Sequence, residues 1–394
     1  MSALLRRLRH DERGMSFVFV GLGFMAFLAA TTLAIDVGMF ATARSQAQNS
    51  ADAGALAGAT ALYYDDFDDR SATGPAVQYA IATARASANR VMGTATSVAP
   101  SDVTFPSENR VRVNVFRTAE RGNPVATLMG QYFGISNVNI AATATAEAAP
   151  ANGMTCVKPF IIPDRWREGA TGQLATQNDT FEIFDKKGNP LVPPEVPDVY
   201  VDATHPVTEY TGYNNEADRG NPLILRAGTG NNIRPSFYFS LAMGVGAGDN
   251  PGGLTGGAAY DWNIANCNHL VIGWGQKVIQ EPGNMVGPTI DGIEQLIARD
   301  PNARWDDSKN KVVDSAFPGQ SPRVAPIPLY DPLEYAKGKQ NGRFADFVVA
   351  NWIGFFFESV QGNEIHGRII PIAGISISGP TPTAAFPRTI RLVE

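Results

Sequence analysis

The sequence predicts a membrane-anchored α+β protein. An N-terminal transmembrane helix extends into a small α+β domain, and a β-rich domain follows. Three observations predict this. Met15–Ile35, MSFVFVGLGFMAFLAATTLAI, carries no charged residue. From Asp36 to Leu62 the chain continues without proline and is dominated by alanine, glutamine and leucine. After residue 150 proline and glycine rise, and short strand-like runs replace helical periodicity. The expected division is a basic tip at 1–14, a transmembrane helix at 15–35, a helical stalk with a small α+β domain at 36–150, and a β-rich exported domain at 151–394.

A chain of 394 residues with 44 % hydrophobic residues is long enough for two or three domains with real cores. Its net charge of −6 and the lack of a basic stripe argue against a nucleic-acid partner.

An uncharged run of this length can cross a bilayer core of about 30 Å. Arg6, Arg7, Arg9 and Arg13 precede it, and the first base after it is Arg44. Lysine and arginine mark the cytoplasmic side, so the N-terminus is expected inside and the bulk of the chain outside the inner membrane. A cleaved signal peptide would have a shorter apolar region of about 7–15 residues and a small-residue cleavage site. Neither fits here, so the span is read as an uncleaved anchor in the lipid bilayer.

Small residues recur along the helix at steps of four: Ala26, Ala30, Ala34 and Gly38, then Ala43, Ala47, Ala51, Ala55 and Ala59. Residues four apart share a helix face. Gly54 and Gly58 repeat the small-xxx-small spacing that lets helix backbones approach closely. Ala26, Ala30, Ala34, Gly38, Ala47, Ala51, Gly54, Ala55 and Gly58 are therefore expected as a helix-packing surface for a partner helix or a second copy of the chain.

The order of Glu12-Arg13-Gly14, apolar span, Ala34-Ile35-Asp36-Val37-Gly38, Arg44 and Gln48-Asn49-Ser50-Ala51-Asp52-Ala53-Gly54-Ala55-Leu56-Ala57-Gly58-Ala59 resembles the N-terminal module of TadG-like proteins of Flp (Tad) pilus assembly. The resemblance covers about Arg13 to Leu62. It implies an inner-membrane component of a pilus or secretion apparatus, with other pilus-assembly proteins as partners, and brings no known active site. Gly14–Met15 stands where a prepilin leader would be cut, but Phe19 occupies the place where prepilins usually carry glutamate. Family members often carry a von Willebrand factor type A domain; its D-x-S-x-S metal loop does not occur here.

Tyr63–Arg70, YYDDFDDR, lacks the spaced ligands and glycine turn of a calcium loop and reads as solvated. Pro75–Val91 reads as a helix. Asp102–Phe105, Arg110–Phe116 and Val138–Glu147 alternate as strands. Asn123–Phe133 has helix chemistry, with Asn123 as N-cap, Pro124 at the first position and Gly134 as terminator. Helices supporting a sheet after a long stalk make this domain loosely pilin-like.

Ala148–Gly153 reads as a linker. Beyond it, strands are expected at Thr180–Phe184, Leu223–Arg226, Ser236–Ala242, Leu270–Trp274, Phe344–Phe357 and Glu364–Ile370. Gln361-Gly362-Asn363 is read as a hairpin turn between the last two. One helix is expected near Pro288–Ala298, capped by Thr289 or Asp291.

No catalytic, cofactor-binding or metal site is assigned. The four histidines, His10, His205, His269 and His366, are isolated in sequence, and Cys267-x-His269 is at most half a metal site. Gly244–Gly257 is glycine-rich without the flanking strand and helix of a phosphate loop. In an oxidising compartment the two cysteines, Cys156 and Cys267, are expected as one disulfide. Trp166, Trp262, Trp274, Trp305 and Trp352 all lie in the second domain, where they could fill a core or line a groove. The leading expectation is a scaffold or minor pilin-like protein of pilus assembly. A membrane-tethered hydrolase and a carbohydrate-binding adhesin are the alternatives.

Overall fold

A computed structural model describes residues 13–65, 69–228, 232–244, 249, 253–283, 285–340 and 347–393. Residues 1–12 of the basic tip, His10 among them, lie outside the described residues. So do the middle of the acidic run and half of the glycine-rich segment. Two compact units are present, Met1–Glu147 with Ile390–Glu394, and Ala148–Thr389. The last five residues thus belong to the first unit.

The first unit is organised on α1, Arg13–Tyr64, a 52-residue helix about 78 Å long. A short helix α2, Pro75–Ala84, starts with proline in its first turn and lies along it. The helix expected to reach Val91 stops at Ala84. There the Ser50 and Thr96 hydroxyls donate to the Ala84 carbonyl, at 2.8 and 3.2 Å, and Asn89 Nδ2 donates to Thr83 O at 2.8 Å. These donors take up carbonyls that a continuing helix would use.

Strands β1, Val103–Ser107, β2, Arg110–Arg117, and β3, Ile140–Pro150, form an antiparallel sheet. Strand alternation puts Val111, Val113 and Val115 into the core opposite Ala146, Ala144 and Ala142.

The expected helix at Asn123–Phe133 is not formed. Val125–Ala126 pairs instead with Asn137–Val138, and only Gly130–Phe133 makes a 3₁₀ turn. Two contacts outweigh the local helix signal. Asn123 turns back to accept Thr118 N–H at 3.3 Å, and the amides of Leu128, Met129 and Gly130 are taken by Asp36.

The second unit is a closed six-stranded barrel. Its strands are β4, Phe160–Pro163, β5, Pro222–Ala227, β6, Phe237–Ser240, β7, Val324–Tyr330, β8, Phe347–Gln361, and β9, Glu364–Ile370. They close in the order β8-β7-β4-β6-β5-β9 and back to β8. The 15-residue β8 makes closure possible: its first half pairs with β7 and its second half with β9. The expected turn is seen, with Gln361 paired to Glu364.

Two strands were hidden in the sequence. Strand β7 contains Pro326 and Pro328, residues that argue against a central strand. They are tolerated because β4 pairs in register only with Leu329 and Tyr330. Pro326 O faces that side and accepts Lys158 N–H at 3.0 Å, so the missing proline donors cost no ladder bond. Strand β4 is buried on both faces and shows no alternation. The expected strand at Thr180–Phe184 is absent, with only a Phe184–Pro190 bridge, and Leu270–Trp274 shrinks to Ile272–Gly273.

Helix is more abundant here than expected: α3, Gly256–Ala265, α4, Val286–Ala298, and α5, Pro332–Gln340. Met285, not Thr289 or Asp291, precedes the first turn of α4. Thr289 is buried in that helix, donating to Met285 O at 2.6 Å and sharing a 2.9 Å bond with Tyr260 OH. Asp291 also lies inside the helix.

Candidate functional site

The nine small residues proposed for helix packing separate into two groups. Ala26, Ala30, Ala34 and Gly38 are exposed, and a Cβ at Gly38 would meet no atom within 4 Å. Ala47, Ala51, Gly54, Ala55 and Gly58 are buried inside the first unit. A Cβ on Gly54 would lie 3.0 Å from Ala84 Cβ, and one on Gly58 would lie 2.8 Å from Val111 Cγ1 and 3.1 Å from Ala80 Cβ. The ridge is a close-packing surface, but the helix against it is α2 of the same chain, with β2 beside it. A foreign helix is therefore not its occupant.

The change between the groups falls at Asp36–Ala43. The apolar half of α1 has a mean hydropathy of 2.2 with none of that window buried within the chain. Asp36 is the first buried residue after it, at 5 % exposure. Its carboxylate accepts Leu128 N–H at 3.0 Å, Met129 N–H at 3.1 Å and Gly130 N–H at 2.6 Å. A buried carboxylate is tolerated when amide donors surround it. Gly130 is needed for the close approach, since a Cβ there would stand 2.9 Å from Ile135 O and 3.2 Å from Asp36 Oδ2.

An uncovered apolar half, an aspartate latch and a small-residue half buried in its own domain thus follow one another along one helix. Residues 14–61 match the Flp pilus-assembly TadE/G-like family. The TadE/G-like module therefore coincides with α1 and with the residues that carried the resemblance. In the A-x-D-x-G segment of the module, Asp36 is the residue that ties the helix to the domain. No curated protein and no solved structure matches the chain.

Glu147 is a second anchoring point in the first unit. It receives Arg110 Nε at 2.8 Å and Arg391 Nη2 at 2.6 Å, which fastens the C-terminal strand β10, Arg388–Leu392, to the sheet. Burial works against its charge, but the Arg391 and Arg110 guanidiniums hold its carboxyl below the usual value.

In the second unit Cys156 and Cys267 are joined as a disulfide, with Cα atoms 4.3 Å apart. His269 Nδ1 faces Asp249 Oδ1 at 2.7 Å, and His269 Nε2 lies 3.8 Å from Cys267 Sγ. That histidine is 70 % exposed at its side chain, and the disulfide removes the neighbouring thiol as a nucleophile. His205 pairs weakly with Asp202 on the surface, and His366 lies on β9 beside Glu364. Trp166, Trp305 and Trp352 are buried, and Trp262 and Trp274 are half-buried, so the tryptophans form no exposed row. A cavity of about 210 Å³ is lined by β5 and β6 residues with Gln280, Gly283, Met285 and Val286, and none of its lining residues is acidic, histidine or cysteine.

Asp164 and Lys158 are among the buried ionisable groups of the second unit that sequence reasoning missed. Asp164 accepts Tyr210 OH at 2.6 Å, Tyr200 OH at 3.0 Å and the amides of Arg165 and Tyr213. Burial pushes its carboxyl up to about 6. Lys158 donates to Asn266 O at 2.9 Å and to Ile264 O, and burial with nearby Arg299 pulls its ammonium down to about 7. Both have all-internal partners and no opening to a cavity among those described. They read as structural.

Proposed function

We propose that the chain is a single-pass scaffold or minor pilin-like component of Flp-type pilus assembly. Its N-terminus is cytoplasmic, α1 crosses the inner membrane over Met15–Ile35, and both units stand outside. One observation carries this reading. The family match at residues 14–61 falls on a helix whose first half is apolar and uncovered while its second half is the core of a folded domain. A long helix lying against a small sheet supports the pilin-like comparison. Lateral association is assigned to Ala26, Ala30, Ala34 and Gly38, the small residues left uncovered. The barrel is assigned a binding role toward other assembly proteins, and no catalysis is assigned to it.

The test is genetic and topological. Deleting the gene should abolish surface filaments, and the full chain should restore them while a chain lacking residues 1–35 should not. A cysteine at Ser101 should react with an impermeant maleimide from outside the cell membrane and one at Ser2 should not. Normal filaments without the gene, or reversed labelling, would overturn the proposal.

A further inference from the structure

The segment Leu128–Ile135 does not bury its apolar side chains. Leu128 is 52 % exposed, Tyr132 78 %, Phe133 65 % and Ile135 56 %. Large apolar groups gathered at one loop tip need an occupant. The tip is also built firmly. Thr127 N–H donates to Ser136 O at 3.1 Å, Ile135 N–H to Gly130 O at 3.0 Å, and Thr127 Oγ1 to Ile135 O at 2.5 Å. Gly134 closes the turn in the left-handed region at φ 85°.

Its position is fixed by Asp36, which takes three of its amides. Asp36 is the first residue after the uncharged run, and Ile35 and Val37 beside it are exposed. The tip is therefore continuous with the bare apolar surface of α1. Its composition fits the same environment: from Asn123 to Ala146 the chain carries no charged residue. Tyrosine settles at the headgroup level of a bilayer, and phenylalanine and leucine enter the acyl boundary beneath it.

We infer that Leu128, Tyr132, Phe133 and Ile135 form a second membrane contact, inserted in the headgroup–acyl boundary of the outer leaflet beside α1. The chain then holds the bilayer at two points, span and loop, braced by Asp36. Such a brace fixes the tilt and rotation of the exported first unit, which a single helix leaves free. This rests on the reading of α1 as a membrane anchor.

The experiment uses the full chain in phosphatidylcholine–phosphatidylglycerol vesicles. With both native cysteines in the disulfide, a single introduced cysteine takes a nitrobenzoxadiazole label. Labels are placed at Phe133→Cys, Phe24→Cys and Ser101→Cys. Lipids spin-labelled near the headgroup should quench position 133 about twofold, while aqueous iodide should not. Deeply spin-labelled lipids should quench position 24, and position 101 should respond to iodide alone. In a Tyr132→Asp/Phe133→Asp background, a label at Leu128→Cys should move from lipid to iodide quenching. Iodide quenching at 133 with lipid quenching at 24 overturns the second contact and leaves the anchor intact. Protection of 133 from both quenchers assigns the tip to a protein surface and overturns the lipid contact. Failure of lipid quenching at 24 overturns the anchor reading itself.

Discussion

Gly58 of the long helix lies against Val111 of the sheet so closely that one added carbon would stand 2.8 Å from Val111 Cγ1. Ala80 and Ala76 of the second helix close the same position, at 3.1 and 3.2 Å. Gly58→Ala must therefore push two elements apart. We expect a loss of about 1–3 kcal/mol in the first unit, read as a lower denaturant midpoint, despite the helix propensity gained. Ala55→Leu, at a position with no exposure, should cost more and unfold the first unit in part. Ala30→Leu, at an exposed position, should leave that midpoint unchanged.

Asp36 supplies a second prediction. Asp36→Ala removes the acceptor for Leu128, Met129 and Gly130. Each amide left without a partner costs about 1–3 kcal/mol unless water reaches it. Hydrogen exchange at these three amides should accelerate at least tenfold, while exchange in β2 stays slow. Unchanged exchange at 128–130 would mean that the latch does not hold the loop.

The charge on Glu147 fastens the C-terminal strand. Its folded carboxyl lies below the unfolded value, so the folded state loses stability as pH falls. The contribution is present above the unfolded value of about 4.3 and is lost as pH falls through the folded value. Protection of the Val393 amide, which donates to Thr145 O at 2.9 Å, should decrease on going from pH 7 to pH 3. Glu147→Gln should show the reduced protection already at pH 7.

Asp164 gives the barrel the opposite pattern, and Lys158 adds a separate limb at higher pH. Asp164 titrates near 6 when folded and near 4 when unfolded, so acid protonates the folded state first. Its effect is to raise barrel stability as pH falls from about 7 to about 4, by on the order of 2–3 kcal/mol. Lys158 titrates near 7 when folded and near 10.4 when unfolded, so its effect is to raise stability as pH rises from about 7 to about 10. Urea unfolding followed by tryptophan fluorescence reads the barrel alone, since all five tryptophans lie there. Asp164→Asn should flatten the acid limb, and Lys158→Met the alkaline one. Wild-type limbs in both variants would rule out these groups as the cause.

The disulfide closes a sequence separation of 111 residues. Non-reducing mass mapping should return Cys156 linked to Cys267. Reduction should lower barrel stability by about 3–5 kcal/mol, because opening this loop restores conformational entropy to the unfolded chain.

What the sequence made legible was local or periodic. The alanines at four-residue steps, the charge-free span, the alternation of Arg110–Phe116 and the turn at Gln361-Gly362-Asn363 each follow from neighbours in the chain. What it hid depends on distant partners. Asn123-Pro124 has the local signature of a helix start, but a carboxylate 92 to 94 residues away takes the amides that follow. Pro326 and Pro328 argue against a strand until the short reach of β4 is known. The ridge from Ala47 to Gly58 announced that something packs closely. Only the fold shows that the something is α2.

The division of α1 into a bare half and a filled half is best read by thiol accessibility in native membranes. Single cysteines would replace Ala26, Ala30, Ala51 and Ala55 in the otherwise unchanged chain. Cysteines at 51 and 55 should resist an impermeant maleimide and bismaleimide cross-linking until denaturant is added, and those at 26 and 30 should cross-link to neighbouring helices with a lipid-soluble reagent. Cross-linking of 51 or 55 to another chain, with the first unit still folded, would contradict the burial of the ridge within its own domain.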